Sequence, residues 1–148
     1  MDRSRVIELA KRIQRSRRVL IVGMDFAASL AYYFAYGLIG LGLDAEAPGG
    51  SEGKLQHKIK ILTAKDMLIA ISSSGNSPNI VRALEVARAL GVGVVTLTGM
   101  RADNKARALG DLNFYVPLSR YGWAESAHQV VLHYWFDQYQ DVHGPGAI

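Results

Sequence analysis
Four serines fall within six residues around one glycine, in the run Ser72-Ser73-Ser74-Gly75-Asn76-Ser77, and Pro78 follows directly. Hydroxyls donate to anionic oxygens without adding charge. Gly75 lets the backbone turn sharply and approach a ligand closely. Ser77 suits a helix N-cap and Pro78 the first helical position, so a helix should open here. The free N–H groups and the dipole at such a helix start favour an anion. A phosphate is the group that Ser72, Ser73, Ser74, Gly75, Asn76 and Ser77 would hold. No lysine follows the glycine as it does in a P-loop, which argues against a nucleoside triphosphate. The plainer alternative is a capped turn whose serines satisfy only backbone groups.

Proton-transfer chemistry would need a base near that loop. Glu125 and His128 stand three apart near the start of a C-terminal helix, on one helical face. Histidine titrates near neutral pH and suits proton transfer. Glu125 in a first helical turn also favours the dipole, and His128 could simply be a packed histidine. Glu52 and His57 are further candidates that a solvated helix face explains equally well. His133, five residues past His128, points away from that face. Four histidines without local clustering make no metal site. No cysteine is present, so there is no disulfide, thiolate metal site or catalytic thiol. That fits a reducing cytoplasm.

These residues need a scaffold. Residues 4–17 show helical spacing with a basic opposite face. Arg18–Gly23 reads as a buried strand and 27–41 as a helix that is apolar nearly all round. A short strand at Asp44–Ala47, a turn at Pro48-Gly49-Gly50 and a helix over 52–62 follow. Strand Met67–Ile71 leads into helix Pro78–Leu90, with Gly91 as its stop. Strand Val92–Leu97, a short helix Asn104–Leu109, strand Leu112–Val116 and a helix Trp123–Gln140 complete the chain, with a loose tail. Alternating strands and helices predict an α/β fold: a three-layer αβα sandwich on a parallel sheet of four or five strands, in one domain over 1–148. In such sheets ligands sit beyond the carboxyl ends of the strands, where the serine run lies.

With 148 residues, 49% of them hydrophobic, the chain has the profile of an ordinary globular protein. Its net charge is +4, and residues 1–18 carry seven basic side chains against two acidic ones. The rest of the chain holds ten basic against eleven acidic, which weighs against a broad nucleic-acid-binding face. The basic first helix reads as a solvated face. No signal peptide is recognisable. The apolar run Phe26–Leu43 is marginal in length for a membrane span and is interrupted by small residues, tyrosines and a serine. No membrane or nucleic-acid partner is therefore expected. Tyr32, Tyr33 and Tyr36, with Trp123, Tyr134 and Trp135, suit a core or a subunit interface. The uncharged 26–43 segment predicts a homodimer or homotetramer.

The stretch DMLIAISSSGNSPNIVRALEVARALGVGVVTLTG (Asp66–Gly99) strongly resembles the SIS (sugar isomerase) domain. The family pattern S-x-S-G-x-S/T stands here as Ser72, Ser74, Gly75 and Ser77, and the next strand ends in the typical Thr96-Leu97-Thr98-Gly99. Tyr121-Gly122-Trp123-Ala124-Glu125-Ser126-Ala127-His128 looks like the start of the last helix in phosphoheptose-isomerase-like members. The resemblance covers roughly residues 4–140. It implies a flavodoxin-like, doubly wound sheet and a phosphosugar site in which Ser72, Ser74 and Ser77 hold the phosphate. It also implies a dimer or tetramer, no cofactor, and a catalytic role for His128.

The chain departs from that family after the first strand. The turn there is Gly23-Met24-Asp25-Phe26-Ala27, with Ser29 beyond it, and an aspartate repels a phosphate. Asp25 and Ser29 join Glu52 and His57 as additional site candidates. The glutamate and histidine usual on the following helix are replaced by Ala31-Tyr32-Tyr33-Phe34-Ala35-Tyr36-Gly37. Two functions are therefore expected. One is an aldose–ketose isomerase in which His128 and Glu125 move protons. The other is a sugar-phosphate sensor that kept the phosphate loop and lost the base.

Overall fold
A computed structural model describes residues 1–49 and 52–145. Helix α1 (Arg3–Arg15) buries Val6, Leu9, Ala10 and Ile13 on one face, and the Asp2 carboxylate caps it by accepting from the Ser4 N–H at 2.9 Å. Strand β1 (Val19–Val22) follows, then helix α2 (Phe26–Gly40), the two-residue strand β2 (Ala45–Glu46) and helix α3 (Glu52–Lys60). Strand β3 (Met67–Ser72), helix α4 (Pro78–Ala89), strands β4 (Gly93–Gly99) and β5 (Leu112–Val116), and helix α5 (Tyr121–His143) complete the order. Gly50, the last residue of the expected Pro48-Gly49-Gly50 turn, lies outside the described residues, as does the tail beyond Pro145.

The five strands form one parallel sheet in the order β2-β1-β3-β4-β5. Side chains alternate across it, because successive residues of a strand face opposite ways. Val19, Ile21, Ile69, Ile71, Val95 and Leu97 face the layer of α1, α2 and α5. Leu20, Val22, Leu68, Ala70 and Val94 face α3 and α4. Both faces are covered, so β1 and β3 are buried throughout, as their unbroken apolar runs require. Trp135 of α5 anchors the larger layer, edge-on to Phe34 at 5.6 Å and to Phe114 at 4.9 Å between ring centroids, an arrangement that suits the charge distribution of aromatic rings. Gly37 lets α5 approach α2, since a Cβ there would run into the Phe136 ring.

Two expected elements come out differently. Asn104–Leu109 is a series of turns, not a helix. The Asn104 side chain is drawn into the fold, donating to Thr98 Oγ1 at 3.1 Å and to the Arg101 carbonyl at 2.9 Å. An asparagine that bonds nearby backbone in this way competes with a helical path. Helix α5 begins two residues earlier than expected and continues to His143.

The basic first helix is not simply a solvated face. Arg3 donates to the Gln138 side chain, and Arg5 lies 5.2 Å over the Phe114 ring. Just beyond the helix, Arg17 grips the buried Asp66 carboxylate with two hydrogen bonds of 3.0 and 2.8 Å. Burial alone would raise the acid's pKa. The Arg17 bonds and the Thr63 N–H outweigh that and hold it below the usual range. Much of the N-terminal charge thus ties α1 and the start of β1 to the rest of the chain.

Candidate functional site
The chain leaves β1 for β2 on one side of the sheet and returns to β3 on the other, so a crevice opens between the carboxyl ends of β1 and β3. A cavity of about 860 Å³ lies there. Its walls come from the turn after β1 (Met24 to Ala27), the serine loop after β3, and the first turn of α5 through Tyr121, Gly122 and Glu125. Segments far apart in the chain meet at this one end of the sheet.

The serine loop does two jobs. Ser72 Oγ accepts from the Gly75 N–H at 3.0 Å, and Ser74 Oγ accepts from the Asn76 N–H at 3.1 Å. These two hydroxyls shape the turn and keep one proton each to donate. Ser73 is only 6% exposed and lines the cavity, yet its hydroxyl has no partner among the described residues. Ser77 occupies the N-cap position of α4, but its hydroxyl makes no capping bond. The expected cap is therefore absent, and Ser77 lines the cavity with its hydroxyl uncommitted. A simple capped turn would have used both hydroxyls; here two remain for an anion at the helix start.

Asn104 fixes this loop from behind, a role that sequence reasoning missed. Gly75 has φ +68°, and a Cβ there would collide with the Asn104 side chain. The Gly75 carbonyl accepts from the Ala106 N–H at 2.8 Å, and Asn76 Oδ1 accepts from the Lys105 N–H at 2.9 Å. Asn76 lines the cavity while its side chain is clipped to this turn. The available signal was an asparagine a few residues past the end of β4, within reach of a glycine turn.

The acid–base candidates separate. Glu125 reaches the cavity. His128, one turn deeper, is fully buried and does not line it. Its Nε2–H donates to the Thr98 carbonyl at 3.0 Å, while Nδ1 has no partner among the described residues. Burial lowers the His128 pKa, and the Thr98 bond only partly offsets this, so the ring is neutral at pH 7. His133 turns toward α2, where the Tyr33 hydroxyl lies 2.7 and 2.9 Å from its ring nitrogens. Asp25 lines the main cavity and also a smaller one of about 170 Å³ that includes Glu52. Ser29 and His57 are exposed and line neither. No group of three potential metal ligands occurs among the described residues.

The SIS domain model matches residues 12–122. A phosphoheptose isomerase of Aliarcobacter butzleri (strain RM4018) is 32% identical over 125 residues, covering 71% of this chain; the chain spans 66% of that relative's length. The structure of the Vibrio vulnificus NanR protein complexed with ManNAc-6P superposes with a TM-score of 0.83 at 20% identity, covering 96% of this chain and 55% of that one. Phosphoheptose isomerase GmhA from Neisseria gonorrhoeae superposes with a TM-score of 0.79 at 24% identity, covering 90% and 84%. At these identities the structural matches speak to the fold. No helix among the described residues is long and apolar enough to cross a membrane.

Proposed function
The chain belongs to the SIS domain family, and we propose that it acts as a sugar-phosphate isomerase in the cytoplasm as a homodimer or homotetramer. The observation that carries this reading is the pair of uncommitted hydroxyls, Ser73 and Ser77, at the start of α4, lining the same cavity as Glu125. The phosphate binds at the helix start, receiving hydrogen bonds from the serine hydroxyls and free loop N–H groups. The sugar then extends across the cavity toward the first turn of α5.

Aldose–ketose isomerisation moves one proton between adjacent carbons and one between their oxygens. In this reading Glu125 takes the proton from the carbon next to the carbonyl, leaving an enediolate, and returns it to the former carbonyl carbon. His128 acts through position alone: neutral and buried, it joins α5 to the end of β4 and so sets where Glu125 stands. Cavity water completes the exchange between oxygens.

A sensor is the second reading. It is favoured by the uncharged α2, which supplies no carboxylate or histidine, and by the burial of His128. Thermal-shift measurements with aldose and ketose phosphates, followed by deuterium exchange at the carbon beside the carbonyl, separate the two. Binding with exchange supports the isomerase, and binding without exchange supports the sensor.

A further inference from the structure
The sheet has a second concave end. At the amino ends of β3 and β4, opposite the serine loop, a cavity of about 430 Å³ is walled by the last turn of α1 and the turn before β3. That volume lies in the range of small-molecule sites. Four cations line it, Arg12, Arg15, Arg17 and Lys65, against one carboxylate, Asp66. The residues described around the serine-loop cavity include no lysine, arginine or histidine.

The acids nearby hold these cations in place without using them up. The Asp66 side chain is shut off from solvent and accepts from Arg17 Nε and Nη2 at 3.0 and 2.8 Å. The Arg17 N–H also donates to the Lys65 carbonyl at 2.8 Å. A guanidinium has five N–H donors, so this clamp fixes Arg17 and leaves three of them over. Glu8, outside the cavity, serves two arginines through one oxygen, Arg12 Nε at 3.0 Å and Arg15 Nη2 at 3.7 Å. Lys65 forms no ion pair among the described residues. Arg12 and Arg15 suit the negative end of α1, but the dipole does not ask for Lys65, from a separate segment, beside the same hollow. Four cations against two carboxylates leave a surplus of two positive charges, which repel one another until an anion lies between them.

We propose that this cavity is a second anion site, for a small molecule carrying two linked phosphate groups. The cations come from two walls, Arg12 and Arg15 from α1, Arg17 and Lys65 from the segments that enter β1 and β3. One phosphate meets each wall, and guanidiniums grip phosphate oxygens through paired N–H donors. The chain beyond residue 18 has no basic excess to extend this hollow into a nucleic-acid face.

The test is calorimetric titration of the full chain at pH 7, in phosphate-free buffer, with inorganic phosphate, inorganic pyrophosphate and a short DNA duplex. Pyrophosphate should bind at least about tenfold more tightly than phosphate. Substituting Arg15→Gln and Lys65→Gln together removes two exposed cations and spares the Arg17–Asp66 clamp. That variant should keep its thermal melt and lose at least about tenfold in pyrophosphate affinity. Lys65→Gln alone should show part of the same loss. Ser73→Ala should leave pyrophosphate affinity unchanged, because the serine loop lies at the far end of β3, about 20 Å along the strand. Pyrophosphate that fails to bind, or binds the paired variant as tightly as the wild type, overturns the inference. A loss in Ser73→Ala alone also overturns it, by placing the anion on the serine loop. Tighter binding of the DNA duplex than of pyrophosphate overturns it in favour of a nucleic-acid face.

Discussion
Ser73 and Ser77 have hydroxyls with no use in the chain's own architecture, whereas Ser72 and Ser74 use theirs to shape the loop. Ser73→Ala should therefore weaken sugar-phosphate binding by about 1–3 kcal/mol, the loss of a charge-assisted hydrogen bond. It should change folding stability by less than about 0.5 kcal/mol. Titration calorimetry and a denaturant melt read the two effects, and a stability loss matching the binding loss would contradict the division of labour. The serine run was legible because residue type and helix start coincide in the sequence. The fate of His128 was not. Spacing puts it on Glu125's face, but only depth along α5 decides that one reaches the cavity and the other bonds the end of β4. Because the His128 pKa is lowered in the folded state, the unfolded chain binds its proton first as pH falls. Stability should be fully present above about pH 6.5 and decline as pH drops toward the folded value. His128→Gln should flatten that part of the stability profile in denaturant melts between pH 7.5 and 5.

At the scale of elements, the βαβ rhythm was readable because buried parallel strands are continuous apolar runs and glycine or proline punctuates their ends. The 104–109 segment was not. Its composition permits a helix, but Asn104's side-chain bonds to Thr98, Arg101 and Arg107 compete with a helical path. That arrangement supports the site, since Asn104 backs Gly75. Gly75→Ala brings together a positive φ and a clash with Asn104. It should cost about 1–3 kcal/mol of stability. It should also reduce sugar-phosphate affinity, because the turn must shift. A chemical melt paired with a binding titration checks this; unchanged affinity would show that the loop tolerates a different path.

For the whole molecule, the +4 net charge has a structural explanation. Several of the N-terminal arginines fasten the first helix and strand to the rest of the chain, and among the described residues none that lines the cavity at the ligand end of the sheet is cationic. The apolar excess has a different distribution. Tyr32, Tyr36 and Ile39 are 65%, 70% and 55% exposed along one stripe of α2. Such a stripe suits burial against a second copy in the proposed assembly. Sedimentation at low micromolar concentration should show a dimer or tetramer, and Tyr36→Glu should shift it toward monomer. A stable wild-type monomer would remove the proposed assembly.

In the proposed isomerase this cavity holds a sugar phosphate while Glu125 moves a proton on it. Deuterium exchange at the carbon beside the carbonyl, followed by NMR in wild-type protein and Glu125→Gln, tests it most directly. Exchange should occur in the wild type and be lost in Glu125→Gln, with binding of the sugar phosphate retained. A wild-type protein that binds the sugar phosphate but exchanges nothing, or a Glu125→Gln variant that exchanges at the wild-type rate, would contradict it.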